Sequence, residues 1–212
     1  MNIYAVADIH GWQERLDLIR NKITLLKPDV LVIAGDITGH QETSSLMEQL
    51  NDLPVPVLIV RGNMDSQDIE MLLAGYPNVS SLHKKKVTVG GVNFVGLSGT
   101  IPVPFHSRIS LREKRLIEET DPLVSRDSVL VTHPPPYGTL DEGFGNLHAG
   151  SRRLRRLVLD KQPLLLICGH IHERPGWAFV EKTLVVNCSM GRSGAGALIK
   201  WSGEDKPVVE MC

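Results

Sequence analysis

The chain has 212 residues, enough to bury one sizeable core, and 42% are apolar against 22% charged, the balance of a folded globule rather than a disordered segment. Lys and Arg total 23 and Asp and Glu 24, a net charge of −1, which argues against a dedicated nucleic-acid binder. Three cysteines, an odd count with no C-x-x-C pair, argue against a disulfide framework and point to a reducing compartment.

The opening MNIYAVADIHG lacks a basic stretch, a long apolar core and a small-residue cleavage site, so no signal peptide is expected. No apolar run approaches the roughly 20 residues of a membrane span, and the expected location is the cytoplasm. IYAVA, running up to Asp8, reads as a strand. Residues 12–26 then place Leu16, Ile19, Ile23 and Leu26 at spacings of three and four, the stripe of an amphipathic helix. VLVIA runs up to Gly35-Asp36, and VPVLIV up to Arg61-Gly62-Asn63, with short helical patterns at 41–50 and 66–74. HKKKVTVGGVNFVGLSG, at 83–99, reads as strand, glycine turn, strand. Helices are expected again at 110–121 and 151–160, around SVLVT before His133, and LLLIC follows before Gly169-His170. LVVN precedes Cys188, and the stretch from Trp177 to Val209 reads as short strands and glycine-rich turns, hence hairpins. Continuous apolar runs of this kind belong to strands covered on both faces. The sum is an α/β (α+β) chain, a single domain over 1–212, with a parallel half and a more antiparallel half. Two packed sheets flanked by helices and one doubly wound sheet both remain open from periodicity.

The strand ends carry ADIHG, GD, GNMD, TH and GHIH, and in open α/β folds ligands bind at the carboxyl ends of strands. Seven residues there offer oxygen or nitrogen to a metal: Asp8, His10, Asp36, Asn63, His133, His170 and His172. One His beside a glycine turn is ordinarily a polar surface residue, and one Asp at a strand end is ordinarily a cap or turn former. Five such signatures on separate strands, in a chain with 8 histidines, shift the balance to a metal site. A carboxylate and imidazole set suits Mn, Fe, Zn or Ni; a calcium cage would use oxygens throughout, and a structural zinc site more often thiolates. Seven ligands exceed one ordinary site and match two ions sharing a bridging carboxylate, a pair able to activate water and clamp phosphate oxygens.

Asp8-x-His10, Gly35-Asp36, Gly62-Asn63, Thr132-His133 and Gly169-His170-x-His172 resemble, in order, the signatures of the calcineurin-like metallophosphoesterase family. The likeness runs from residue 1 to about residue 192 and is to its compact bacterial or archaeal branch. It implies a four-layer αββα sandwich of two mixed sheets. It also implies two divalent ions, Mn favoured with Ni, Fe or Zn as alternatives. Asp8, His10 and His172 would hold one ion; Asn63, His133 and His170 would hold the other, with Asp36 bridging. The family attacks phosphorus in line with a metal-bridging water or hydroxide, without a phosphoenzyme.

Many members of that family have His where this chain has Met64, inside GNMD. Methionine has no proton to give a leaving group. Asp65 either holds His10 through its second ring nitrogen or caps a helix beginning near Ser66. His148, in the long loop PPPYGTLDEGFGNLHAG after His133, is the candidate replacement acid, against the plainer reading of a polar loop residue. The candidate catalytic residues are thus Asp36, Asn63, Asp65 and His148. Arg152 or Arg153 either reaches an anionic substrate or lies on a solvated helix face, with Ser151 as cap. Asn187 either hydrogen-bonds a strand-end loop or forms a turn. His40, His83 and His106 read as ordinary polar residues. The expected activity is a metal-dependent phosphodiesterase acting on a small phosphodiester, with short nucleotides open and no membrane partner. A phosphomonoesterase and a catalytically weak binding module are the alternatives. Residues 99–109 would mark a contact between copies in a homo-oligomer or line the substrate's approach.

Overall fold

The structure, a computed structural model, describes all residues except 40–41, 67, 100–106, 144–146, 192–193 and 204–205, and only the backbone of 107–112. His40, His106 and most of the 99–109 segment therefore lie outside the described residues. In chain order the elements begin β1 (Asn2–Val6), α1 (Gln13–Leu26), β2 (Val30–Ala34), α2 (Thr43–Asn51), β3 (Val57–Val60) and α3 (Ile69–Leu72). Then come β4 (Val79–Ser81), β5 (Lys86–Val89), β6 (Val92–Leu97), α4 (Ser107–Thr120), β7 (Val129–Thr132) and α5 (Arg152–Lys161). The last are β8 (Leu165–Cys168), β9 (Gly176–Val180), β10 (Thr183–Asn187), β11 (Ala197–Lys200) and β12 (Val208–Met211).

The strands form two six-stranded sheets, ordered β12-β11-β1-β2-β3-β4 and β5-β6-β7-β8-β10-β9. Both are mixed. In the first, β1 to β4 run parallel, β11 pairs antiparallel with β1, and β12 pairs antiparallel with β11. In the second, β6, β7, β8 and β10 run parallel, with β5 and β9 as antiparallel edges. A single doubly wound sheet is thereby excluded.

The unbroken apolar runs follow from burial on both faces. In β2, Val30, Val32 and Ala34 point into the core between the sheets, alongside Phe94, Val129, Val131, Leu165 and Ile167 from the second sheet. Leu31 and Ile33 point the other way, onto Leu16, Ile19 and Ile23 of α1 and Leu46, Met47 and Leu50 of α2. On the far side, Leu130, Leu166, Cys168 and Val185 meet Leu154, Leu157 and Val158 of α5. Helix, sheet, sheet and helix thus stack as four layers, and a one-residue slip of any central strand would exchange its two faces. The expected helix over 66–74 is shorter: α3 gives way to a 3-10 turn at Leu73–Gly75. Among the described residues no helix is long and apolar enough to cross a membrane.

Candidate metal centre

Because β1, β2 and β3 are parallel, and so are β7 and β8, each set ends at one edge of its sheet. Asp8, Asp36 and Asn63 follow the first set; His133, His170 and His172 follow the second. The packed sheets bring these ends face to face. The ligand atoms of Asp8, His10 and His172 lie within 4.8 Å of one another, as do those of Asp8, Asp36 and His133. Asn63 Oδ1 stands 2.9 Å from His133 Nε2, and the His170 ring packs edge-on to His133 with centroids 5.1 Å apart. The His170 N–H donates to Asp8 Oδ2 at 3.0 Å. All seven residues singled out in the sequence are thus brought together. Asp8 is common to both triads. Asp36, the bridge implied by the family resemblance, lies in one triad, though its charge acts on both His10 and His133.

The backbone is held in the left-handed region at Asp8 (φ 61), His10 (φ 52), Asp36 (φ 50) and His170 (φ 69), a conformation that is uncommon outside glycine and costs of order 1–3 kcal/mol. Gly62 is required for another reason: a Cβ there would fall 2.1 Å from Asp36 Oδ1. The glycine in GNMD therefore makes room for the neighbouring Asp36 carboxylate.

Oxygen and nitrogen lone pairs converge with too few donors. Asp8 is fully buried. Its Oδ1 has no hydrogen-bond partner, although His172 Nε2 lies 3.2 Å away, close without the geometry of a hydrogen bond. His133 Nδ1 lies 2.8 Å from the Ala34 carbonyl; a carbonyl only accepts, so that nitrogen carries the proton. Nε2 is then left facing two oxygens, Asn63 Oδ1 and, at 3.4 Å, Asp36 Oδ2. A buried set short of positive charge and rich in imidazole and carboxylate donors fits divalent transition ions.

The protonation states agree. Burial would raise the carboxyl of Asp8, but His172 and His133 outweigh it and hold the pKa below the ordinary value. Asp36 is lowered too, burial being outweighed by His133 and the Met64 N–H. Burial lowers His10. It also lowers His170 to about 4, helped by His133, so His170 offers a neutral ring to a metal. His133 and His172 are raised: at His133 burial opposes the shift and Asp36 outweighs it, and at His172 Asp8 leads. Those two rings would give up protons when a metal arrives.

Around this set, Asp65 departs from both expectations. Its buried carboxylate neither reaches His10 nor caps a helix. Oδ1 accepts from Ile37 N–H at 2.9 Å, Thr38 N–H at 2.8 Å and Thr38 Oγ1 at 2.8 Å. Oδ2 accepts from Gly62 N–H at 2.9 Å. These donors occupy both oxygens, and α3 starts only at Ile69. Asn187 does hold a strand-end loop, donating from Nδ2 to the carbonyls of Ile171 at 2.8 Å and Arg174 at 3.0 Å. Sequence reasoning missed Arg15, which donates to the Asp8 carbonyl and, at 2.7 Å, to that of Gly191. Its position on α1 carries no signal of that use. His148 lies on the loop after β7, its Nδ1 2.8 Å from Asp141 Oδ1.

The profile of the calcineurin-like phosphoesterase family matches residues 1–174. The chain is 29% identical over 198 residues to the uncharacterized protein MJ1162 of Methanocaldococcus jannaschii, spanning 89% of this chain and 88% of that protein. It is 31% identical over 218 residues to the UPF0046 protein K07C11.7 of Caenorhabditis elegans, spanning 92% and 71%. Among solved structures, TT1561 of Thermus thermophilus is similar in fold, with a TM-score of 0.72 at 16% identity over 100% of this chain and 97% of that one. With the profile running from β1 through both histidines of the GHIH turn, the chain belongs to the calcineurin-like phosphoesterase family.

Proposed function

We propose that the chain is a phosphodiesterase that uses two divalent metal ions, Mn favoured, and acts on small phosphodiesters, short nucleotides included. The observation that carries this reading is the fully buried Asp8, with an unpartnered oxygen, standing between two triads of potential ligands. Asp8, His10 and His172 would hold one ion; Asn63, His133 and His170 the other; Asp36 would serve both. Two such ions, when bound, lower the pKa of water and neutralise phosphate oxygens. The rest falls to the chain's own groups. Asp65 fixes the loops that present Asp36 and Asn63. His170, neutral through burial, keeps its lone pair available for coordination. Met64, in the place of the family's usual His, is 66% exposed and brings no proton, so a substrate whose leaving group departs readily, or another acid, completes the reaction. The three cysteines are free thiols, which supports a cytoplasmic setting. Met64 is also the feature that favours the alternative of a binding module.

The test uses metal-stripped protein supplied in turn with Mn, Ni, Zn and Mg, assayed on bis(4-nitrophenyl) phosphate and 4-nitrophenyl phosphate. Metal-dependent hydrolysis of the diester ahead of the monoester is expected, with Asp36→Asn losing on the order of 10²-fold or more. Inactivity on both in protein loaded with two metals would replace the enzyme by a binding module.

A further inference from the structure

The loop after His133 is a built hairpin. The Ser151 N–H donates to the Pro135 carbonyl at 2.9 Å, Tyr137 N–H to that of Ser151 at 3.0 Å, and Ala149 N–H to that of Asp141 at 2.9 Å. Asp141 is 1% exposed, and its oxygens take His148 Nδ1 at 2.8 Å and Gly150 N–H at 3.1 Å. A carboxylate only accepts, so the His148 proton facing it sits on Nδ1, and Nε2 is the nitrogen left for another partner. The Tyr137 ring backs the arrangement, with His148 at 5.1 Å and the Arg152 guanidinium over its face at 3.8 Å. Two local departures hold Asp141 in place. Leu140 adopts φ 55, and a Cβ on Gly150 would fall 2.7 Å from Asp141 Oδ2. Burying a carboxylate to orient an exposed imidazole is more than a surface turn needs, and is the support that reactive histidines ordinarily have.

The hairpin is also tied to the metal centre. It leaves β7 directly after His133. Glu142 pairs across the hairpin with His148, and its carboxylate meets Arg174 at 2.5 Å. Arg174 is two residues beyond His172, in the turn whose carbonyls Asn187 fixes. The hairpin that carries His148 is thus anchored to the candidate centre twice, through the chain that leads out of His133 and through the Glu142–Arg174 pair beyond His172.

We infer that His148 is the general acid for the leaving group, with Asp141 as its positioning residue, taking over the task for which Met64 has no proton. The inference rests on the phosphodiesterase reading. As the water oxygen forms its bond to phosphorus and gives up one proton to solvent, and the bond from phosphorus to the ester oxygen breaks, the Nε2 proton of the imidazolium passes to that departing oxygen. An alcohol or phenol leaves, and the neutral ring keeps its Nδ1 proton on Asp141. Solvent restores the proton on Nε2.

The test is a series of methyl aryl phosphodiesters, from 4-nitrophenyl, which departs unaided, to phenyl, which needs a proton. In Mn-loaded His148→Ala, kcat should fall within about threefold on the nitrophenyl ester and roughly 10²-fold or more on the phenyl ester, with KM little changed. Asp141→Asn should follow the same trend. Unchanged metal content and melting temperature in His148→Ala separate chemistry from loop damage. Equal losses across the series, or none, in an active protein would overturn the acid alone. A wild type inactive on every ester would overturn the phosphodiesterase reading and the acid with it. Independently of activity, long-range proton–nitrogen spectra of histidine-labelled protein should place a proton on His148 Nδ1, and Asp141→Asn should displace it. A ring protonated on Nε2 alone would remove Asp141 from its role.

Discussion

Four donors converge on the Asp65 carboxylate, from Ile37, Gly62 and both the N–H and hydroxyl of Thr38. The loops they belong to present Asp36 and Asn63. Deleting the carboxylate strands buried N–H groups, at about 1–3 kcal/mol each, and loosens both loops together. Asp65→Ala should therefore weaken Mn binding about 10- to 100-fold and lower the melting temperature, as calorimetric titration and thermal unfolding would show. Unchanged Mn affinity would mean that the loops hold their shape without it. The candidate ligand set is legible in the sequence, because each member is a polar residue closing an apolar run, mostly beside a glycine. The use made of Asp65 is not legible. Three of its four donors are backbone N–H groups, those of Ile37 and Thr38 lying 28 and 27 positions away, and no side-chain pattern marks a backbone donor. Asp141 is hidden in the same way, under a histidine that the sequence does flag.

Between α4 and α5, Glu113 is 5% exposed. It accepts from the Ser151 hydroxyl and lies 3.7 Å from Arg153. Burial raises its carboxyl pKa, with Ser151 and Arg153 opposing. A folded-state pKa above the unfolded one means that the protonated form favours folding. That contribution is complete below the unfolded pKa and is lost as pH rises through the folded one. The neutral Glu113→Gln has no such loss, so wild type should fall behind the variant as pH rises from about 4 to 8. Melting temperatures measured across that range check this, and a constant difference would contradict it. The helices are legible where an apolar stripe persists, as in α1, and where a cap announces them, as Ser151 does by accepting from Leu154 N–H at 2.9 Å. They are less so where the pattern is short. The 66–74 pattern stops early because Gly75 and Pro77 favour no continuation, and β4, three residues long, offers too little alternation to read.

The two terminal hairpins are foreseeable as hairpins but not in their destinations. β9 and β10 extend the second sheet while β11 and β12 join the first, with Lys200 opposite Asn2, a choice made by long-range pairing rather than local pattern. The same separation would give bound metals a mechanical role. Asp8, His10, Asp36 and Asn63 come from the first sheet, and His133, His170 and His172 from the second, so bound ions would cross-link the halves of the sandwich. At a metal concentration 100 times the dissociation constant, linkage adds about 2.7 kcal/mol, or roughly 5–10 °C in melting temperature for a chain of this size. Chelation should remove that increment in wild type and leave Asp36→Asn nearly unmoved. An equal response in both would detach the metals from this cluster. The core shared by both sheets leads us to propose that residues 1–212 unfold as one cooperative unit.

The left-handed backbone at Asp8, His10, Asp36 and His170 has an evolutionary consequence. At His10 and His170 glycine would relieve the conformation, so each is a one-substitution route to a tougher protein short of a candidate ligand, whereas at Asp8 and Asp36 it would also strand the N–H groups of His170 and Met64. A breeding programme that rewarded survival of heat alone would follow those two routes, and would return a sandwich that resists heat somewhat better and has lost both imidazoles.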